Sequence, residues 1–430
     1  MIAKLRWISL SITTFFLAWL AMPSSARAES VDVNFTTSDG VLITGKFYSG
    51  AKGKDLPTVL CLHGFTHKKG GSSTTKEWEG LALALQKEGH SVLTFDFRGH
   101  GKSTIVSGKF WEAEINKKLP GALKTDRPRK ISYTDFTSSY YPNLVNDIAA
   151  AKCFLDARND SLEANTSNLV VVGAGEGATL GALWMASEWR RQPCEVVEYT
   201  PGRPANFFIA SPPTTKTSYL TAMTAQDPEG AKQLAAIWLT INPTVAGKTM
   251  GKLPNWLKDV TMKRSLRRVQ TVFVSGKEDK DGDEFSYRML KIVKPGYVRE
   301  KKDKEGTKKG AKTPEDTQGF TGEYTYASKM EGDQLLPLAT KDIVDYMAKV
   351  GKKEVLTSHK KQGLEESTYG WFFGDLAKDG SLPLPPSYKG APFHFNQPTT
   401  TGTGRMVWPA KVPSEKESIR PLPFKYMGVN

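Results

Sequence analysis

Cysteine is scarce in this sequence of 430 residues. Only Cys61, Cys153 and Cys194 occur, and no pair has the CxxC spacing. An odd count without that spacing excludes an evident disulfide framework and indicates neither a zinc site nor a dithiol redox motif. Cys61 lies in an apolar segment, an ordinary core position for a free thiol. We therefore predict a protein without a metal or a cofactor.

Histidine is also sparse, and its distribution is uneven. The chain has six histidines, and none lies between His100 and His359. Histidine is the side chain that most often serves as a general acid or base near neutral pH. Few histidines are therefore available to act as a general base in catalysis.

Long hydrophobic runs are confined to the N-terminus. Lys4 and Arg6 precede an apolar segment over residues 7–22, and Ala26-Arg27-Ala28 has the form of a signal-peptidase site. We expect a signal peptide over residues 1–28 and an exported mature chain, periplasmic or extracellular, without an integral membrane span. An uncleaved anchor is the alternative, but the segment is shorter than the roughly 20 residues that a span needs.

The chain is basic, with a net charge of +14 at pH 7. Much of this charge lies in Lys291–Lys312, a stretch that also contains glycine, threonine, proline and acidic residues. We predict a solvated insertion loop there. Contact with an anionic polymer or a membrane surface is the alternative. Tyr297 is the only aromatic residue in the stretch, which disfavours single-stranded nucleic acid as a partner.

One segment has the pattern of a buried strand that turns sharply into a helix. The four apolar residues Leu169–Val172 are followed by the small-residue run Gly173-Ala174-Gly175-Glu176-Gly177-Ala178. This run resembles the G-x-S-x-G nucleophile elbow of the α/β-hydrolase superfamily. Gly175 occupies the position of the nucleophilic serine. Glycine adopts such a turn without steric cost but carries no nucleophile.

Two further motifs precede this elbow in the order that the superfamily has. The apolar run Thr58–Leu62 leads into His63-Gly64-Phe65, which resembles the oxyanion loop, and Asp96–Ser103 reads D-x-R-G-x-G-x-S, which resembles the loop after the following strand. Strands that alternate with helices predict an α/β fold with a mostly parallel sheet flanked by helices, over residues 30–350. Further predicted strands cover 91–95, 207–210, 271–275 and 323–329, and predicted helices cover 76–89, about 144–155, about 284–293 and 336–350.

The resemblance implies a catalytic nucleophile, acid and histidine, in that chain order. Asp279 matches the acid, although the same residue is also placed to cap a helix. Calcium ligation by the acidic run 279–284 is a further alternative, without the spacing of an EF-hand. The histidine expected after the last strand is missing from residues 330–334. His359 or His394 would have to loop back to replace it, and His67 is a third residue that could face the pocket.

Glu176 is the candidate for a different chemistry. If the elbow were read one residue later, this carboxylate would be the nucleophile. In the ordinary register, Glu176 and Phe65 supply the two oxyanion-hole N–H groups, and the Glu176 side chain is expected near the mouth of the pocket.

Two missing triad members favour an exported protein that has lost serine-hydrolase activity and binds a partner, which is a small molecule, a glycan or a protein. The alternative is a divergent esterase-like or peptidase-like hydrolase that uses Glu176 or a nucleophile outside the elbow.

Two segments lie apart from these motifs. Residues 104–142 are rich in aromatic and basic side chains and predict either a surface loop packed by its aromatics or a rim to the pocket. Residues 381–430 contain nine prolines together with aromatic residues such as Trp408. Because disordered segments have few aromatics, we predict that residues 351–430 form an extended arm that packs on the domain or on a partner.

Overall fold

A nine-stranded sheet forms the centre of the protein. The computed structural model describes residues 30–360 except 38, 67, 113–115, 189–191, 194–232, 263–268, 300, 303–307 and 310–319, and it also describes 369–370, 399–400 and 406–407. The strands of the sheet are β1 Ser30–Thr36, β2 Val41–Tyr48, β3 Thr58–Leu62, β4 Val92–Phe95, β5 Ile105–Val106, β6 Leu169–Ala174, β7 Gln233–Leu239, β8 Gln270–Gly276 and β9 Gly322–Tyr326.

The strand order is β1-β2-β4-β3-β6-β7-β8-β9, with β5 paired to β2. β2 is antiparallel to β1, β4 and β5. From β4 to β9 every neighbouring pair is parallel. The carboxyl ends of six strands therefore meet at one edge, which is where ligands bind in open sheets of this kind.

Helices cover both faces of the sheet. They are α1 Lys76–Lys87, α2 Val145–Asp160, α3 Gly175–Glu188, α4 Leu253–Met262, α5 Lys280–Val293 and α6 Leu336–Val350. Alternate residues of β3 belong to two separate cores: Leu60 and Leu62 pack with α2 to α5, whereas Val59 packs with α1 and α6. A strand buried on both faces is apolar throughout, which is why Thr58–Leu62 has no polar alternation. The predicted fold class is confirmed.

Shorter elements connect these. Single 3₁₀ turns occupy 108–112, 116–118, 133–135, 141–144, 166–168 and 332–335. Four pairs of two-residue strands are Thr244–Val245 with Lys248–Thr249, Lys301–Lys302 with Lys308–Lys309, Gln192–Pro193 with Tyr369–Gly370, and Thr399–Thr400 with Met406–Val407. Within the part of the chain that the structure describes, no helix is both long and apolar enough to cross a membrane.

Several sequence expectations need correction. The helix expected from about 284 begins at Lys280, because Asp279 caps it. The last strand ends at Tyr326 instead of at 329. β7 was not predicted, while the strand expected at 207–210 lies outside the described residues. The expected signal peptide and most of the C-terminal arm also lie outside them, so these boundaries stay predictions.

The basic stretch that begins at Lys291 is not a uniformly solvated loop. Lys291–Val293 complete α5, and the Arg299 guanidinium binds Asp283 at 2.5 Å and Glu323 at 2.7 Å. Arg299 thereby joins α5 to β9. Residues 294–299 do form a loop, but charge composition did not reveal which of its cations meets two carboxylates.

Candidate functional site

The elbow lies at the junction of β6 and α3, at the carboxyl edge of the sheet. Gly175 has φ +53°, in the left-handed region that favours glycine. A Cβ built on Gly175 would meet only Gly64 Cα, at 3.9 Å. The two flanking glycines are needed for close packing, because a Cβ would lie 2.8 Å from Ala178 Cα at Gly173 and 2.3 Å from His63 O at Gly177. The turn therefore retains room for a side chain at 175 that the sequence does not supply.

This turn also decides between the two registers of the elbow. The strand ends at Ala174, and the residue with positive φ is Gly175. Glu176 lies in the first turn of α3. The elbow therefore has the ordinary register, with Gly175 and not Glu176 at the nucleophile position.

The sequence had suggested that the Glu176 side chain lies near the mouth of the pocket. In the structure it is buried instead. Glu176 is 5% exposed, and its Oε2 accepts a hydrogen bond from the Ala246 N–H at 2.8 Å. Burial raises the pKa of Glu176 to about 7, although the Ala246 hydrogen bond lowers it. The side chain turns inward because the loop after β7 offers it a backbone donor.

The loop after β3 has a structural histidine. The Phe97 N–H donates to His63 Nε2 at 3.1 Å, so His63 Nδ1 carries the proton that bonds Gly64 O at 2.9 Å. Both ring nitrogens are therefore occupied. Phe65 is buried beside the elbow and stacks on Tyr141, with ring centroids 5.6 Å apart.

Asp279 follows β8, as the resemblance implied. Its Oδ1 accepts from the Gly282 N–H at 3.1 Å, so Asp279 is the N-cap of α5. Its Oδ2 is buried and has no hydrogen-bond partner among the described residues. The side chain serves as a cap and keeps one oxygen free. No group of three His, Cys, Asp or Glu side chains within the described residues is arranged to hold a metal ion.

The loop between β9 and α6 passes directly over the elbow. Gly332 has φ +54°, and a Cβ built on it would lie 3.7 Å from Gly175 N. The next residue, Asp333, accepts from the Gly64 N–H at 2.7 Å. Burial raises the pKa of Asp333, and the hydrogen bond from the Gly64 N–H opposes this rise. The position of this loop that faces the nucleophile turn is thus a glycine.

The other described histidines lie away from this loop. His90 Nδ1 bonds Pro57 O, and His100 Nδ1 bonds Arg98 O. Burial lowers the pKa of His100 to about 4, so it stays neutral. His359 does not loop back, because residues 357–360 are bound to Ser167 and Asn168, before the start of β6. It is therefore at the opposite end of that strand from Gly175. His67 and His394 lie outside the described residues.

The D-x-R-G-x-G-x-S loop after β4 is structural. Asp96 accepts from the Ser73 N–H at 2.7 Å, and Arg98 is fully buried between Asp39 at 2.7 Å and Asp147 at 2.8 Å. Burial raises the pKa of Asp147 to about 6, and Arg98 lowers it. These pairs fix the loop beneath Phe65.

The aromatic side chains of residues 104–142 pack inward. Phe110, Trp111, Tyr140 and Tyr141 are buried in the same core as α2 and α3. Tyr133 stacks on His100, with ring centroids 4.9 Å apart. Within the described part of this segment, no residue lines the cavity above the elbow.

A cavity of about 780 Å³ opens above Gly175. It brings together four residues predicted for the site: Phe65, Gly175, Glu176 and Asp279. Among the described residues, its ionisable lining is mainly acidic, with two cations against six carboxyl groups: Lys69, Arg288, Glu176, Asp279, Asp281, Glu284, Glu331 and Asp333. The cavity is thus acidic within a chain whose net charge is positive.

Sequence reasoning missed the contribution of the loop after β7. Thr240, at the end of that strand, lines the cavity. Its Oγ1 is buried without a hydrogen-bond partner among the described residues. The apolar run Leu234–Leu239 has the length of a buried strand. This run could have predicted β7 and the loop that follows it.

Comparison with protein-family models agrees with this fold. Residues 57–166 match the family model of the alpha/beta hydrolase fold. No curated protein matches the chain.

Three solved structures illustrate the similarity. A dienelactone hydrolase from Anabaena variabilis is 13% identical, with a TM-score of 0.40, and the match covers 76% of this chain and 99% of that one. An esterase from Pyrococcus furiosus is 14% identical, with a TM-score of 0.38, covering 74% and 90%. Est1E from Butyrivibrio proteoclasticus, solved with ferulic acid, is 12% identical, with a TM-score of 0.40, covering 74% and 99%.

Proposed function

Since this chain has the α/β-hydrolase fold and its resemblance to that superfamily is confirmed, we propose that it is a binding protein without serine-hydrolase activity. One observation carries the proposal: the elbow position and the loop position that faces it are both glycine, Gly175 and Gly332. The site therefore has a hydroxyl at neither position and a base at neither position. A cavity is nevertheless present above these two glycines.

The chemistry of acyl transfer explains why this arrangement matters. General-base assistance supplies roughly 10²–10⁴-fold, and triad members act as a unit, so that loss of one removes most of the effect. A protein that lacks two members has little reason to retain the third for catalysis. The cap that Asp279 provides to α5 gives that residue a structural reason to remain.

Labelling with a fluorophosphonate probe tests this proposal. The mature protein is incubated with the probe beside an active serine esterase and a heat-denatured sample of itself. We expect no labelling above that of the denatured sample. Labelling that disappears on denaturation would contradict the proposal, and mass spectrometry of the adduct would then identify the nucleophile.

A second candidate function is a divergent hydrolase that uses Glu176. The observation in its favour is the buried position of this carboxyl in the cavity, where its pKa is about 7. A carboxyl that titrates near neutral pH suits general acid–base work. The hydrogen bond from the Ala246 N–H to Glu176 Oε2 disfavours this candidate, because it fixes the side chain in place. A Glu176→Gln variant discriminates the two, because only the hydrolase candidate loses turnover.

We also propose that the mature chain is exported to the periplasm or the extracellular space. Support comes from the order of charge, apolar segment and cleavage motif in residues 1–28. The first strand begins at Ser30, so cleavage after Ala28 removes no strand or helix of the described fold.

A further inference from the structure

We infer that residues 116–130, the basic loop, dock the protein on a membrane surface that contains anionic lipid. Six residues of this loop are lysine or arginine, and Asp126 is its only carboxylic acid. Within it, Leu123 is 95% exposed, whereas the next most exposed large apolar side chain among the described residues, Val298, is 59% exposed. Cations around an exposed apolar side chain are typical of segments that bind anionic membranes.

Contacts with a buried tryptophan hold the basic loop against the core. A Cβ built on Gly121 would lie 2.6 Å from Trp111 Cη2 and 2.9 Å from Pro128 Cδ, so the two arms of the loop meet beside the indole ring. The Trp111 indole N–H also donates to Pro128 O at 2.9 Å. Leu123 lies between these two arms in the sequence. Its exposure therefore belongs to a turn that is packed on the core.

The cations of the basic loop are available to a partner. Five of them have exposed side chains: Lys118, Lys124, Arg127, Arg129 and Lys130. None of the five forms an ion pair with a described residue, whereas Lys152 and Arg299 elsewhere are paired. The Val106 N–H donates to Arg129 O at 2.9 Å, and Lys130 is paired with Ile105 in β5. Ile105 is itself exposed and adds a second apolar side chain beside these cations.

The side chains of this surface favour lipid over nucleic acid. Proteins bind single-stranded nucleic acid by stacking bases on aromatic rings, but Phe110 and Trp111 beside the loop are buried. An exposed leucine offers a base no such ring. A lipid surface accommodates both groups, because its headgroups attract the cations and its acyl chains receive the apolar side chain.

Vesicle flotation of the mature chain tests the inference. The mature chain is used because residues 1–28 contain an apolar segment of their own. Vesicles of phosphatidylcholine alone are compared with vesicles in which about a third of the lipid is phosphatidylglycerol. We expect binding to the mixed vesicles only, and weaker binding when salt is raised from about 0.1 M to about 1 M, since screening then shortens to roughly 3 Å. Equal binding to both vesicles, or binding to neither, would overturn the inference.

A charge-matched pair of triple variants locates the surface. Replacement of Arg127, Arg129 and Lys130 by glutamine should weaken binding roughly a hundredfold, at about fivefold for each cation near the membrane. The control replaces the exposed Lys349, Lys352 and Lys353 by glutamine. These follow or end α6, where a Cβ built on Gly351 would lie 3.6 Å from Pro57 Cδ, before the start of β3. The control should bind as the wild type does, and an equal loss in both variants would overturn the assignment.

A leucine variant separates a membrane from an anionic polymer. Leu123→Ser should weaken vesicle binding roughly tenfold, because the apolar contact is lost. Leu162→Ser, at an exposed leucine after α2, is the control and should bind as the wild type does. Binding of each variant to heparin is measured in parallel. If Leu123→Ser binds vesicles as tightly as the wild type and heparin competes fully, the partner is an anionic polymer and the inference is wrong.

This inference is independent of the proposed function. No residue of the basic loop lines the described cavity above the elbow. Ester turnover by the wild type would contradict the proposed function and leave lipid docking standing. Failure to bind anionic vesicles would leave the absence of serine-hydrolase chemistry standing.

Discussion

Gly175 and Gly332 together define what this site lacks. Each has a positive φ, and a Cβ on either residue would meet no atom closer than 3.7 Å. Space is therefore available at both positions, and only backbone conformation opposes a larger residue. An L-residue in this conformation costs roughly 1–2 kcal/mol, and asparagine and histidine tolerate it better than most residues.

A serine hydroxyl at position 175 together with a histidine at position 332 should restore slow nucleophilic reactivity. We expect Gly175→Ser alone to be inactive, because the hydroxyl has no base. Gly175→Ser combined with Gly332→His should react slowly with a fluorophosphonate probe, since the Gly332 position faces Gly175. The control is Gly175→Ser with Gly332→Asn, which has the same backbone preference without a base. Equal labelling of the two double variants would show that the loop position does not supply a base.

Glu176 makes the stability of the protein depend on pH. Its folded pKa is about 7 against a usual value of 4.5, so the folded state holds a proton that the unfolded state releases. This contribution is fully present below pH 4.5 and is lost as the pH rises to 7. Glu176→Gln should therefore be more stable than the wild type at pH 8, by about 1–3 kcal/mol.

Urea denaturation at pH 5 and pH 8 measures this difference. Glu331→Gln, an exposed carboxyl of the same cavity, is the control, and we expect it to behave as the wild type does. A Glu176→Gln variant that is no more stable than the wild type at pH 8 would contradict the raised pKa of this carboxyl.

At the scale of elements, the sequence predicts most strands of the sheet. It predicts fewer of the contacts that form the site. Strands such as Thr58–Leu62 and Leu169–Val172 are apolar on both faces, and this pattern depends only on burial. The elbow could be located because its apolar strand and its glycines lie in one continuous segment of the sequence, although the contact that requires Gly177 is with His63 O of another loop. The role of Gly332 could not, because its contact with Gly175 joins residues far apart in the chain.

The same reasoning explains the misplaced Glu176 side chain. Its position depends on the Ala246 N–H, which follows β7, a strand that the sequence analysis did not predict. Similarly, Asp279 was recognised as either a cap or a site residue, and in the structure its Oδ1 caps α5 by accepting from the Gly282 N–H.

The start of α5 depends on the Asp279 cap. We expect Asp279→Ala to lower the free energy of unfolding by about 0.5–2 kcal/mol, and Asp279→Asn to change it little, because asparagine also accepts from the first-turn N–H groups. Thermal or urea denaturation measures both. Asp281→Ala, exposed in the same turn, should cost less than Asp279→Ala. An Asp279→Ala variant no less stable than Asp279→Asn would exclude the cap.

At the scale of the whole molecule, charge is distributed unevenly. The chain carries a net charge of +14, yet the cavity at the carboxyl edge of the sheet is acidic. The basic composition left an anionic partner as an alternative. The folded arrangement shows that carboxyl groups from α3, α5 and the loop before α6 gather at one place. The net charge of the chain therefore does not predict the charge of this cavity.

Processing of the N-terminus is a prediction at the scale of the whole molecule. If residues 1–28 are a secretory signal, the mature chain begins at Glu29, because the signal peptidase cleaves after the A-x-A motif. Mass spectrometry of protein recovered from an exporting host checks this terminus. A mature protein that retains Met1 or Ile2 would contradict export by this route.

Ester hydrolysis by the purified mature chain tests the central claim most directly. Wild type, Glu176→Gln and Asp279→Asn are measured on one panel of activated and unactivated esters, beside buffer and an active esterase. Because the site lacks a hydroxyl at Gly175 and a base at Gly332, we predict turnover close to the buffer rate and equal in all three proteins. Substantial wild-type turnover that collapses in either variant would contradict this account and establish a carboxylate-based hydrolase.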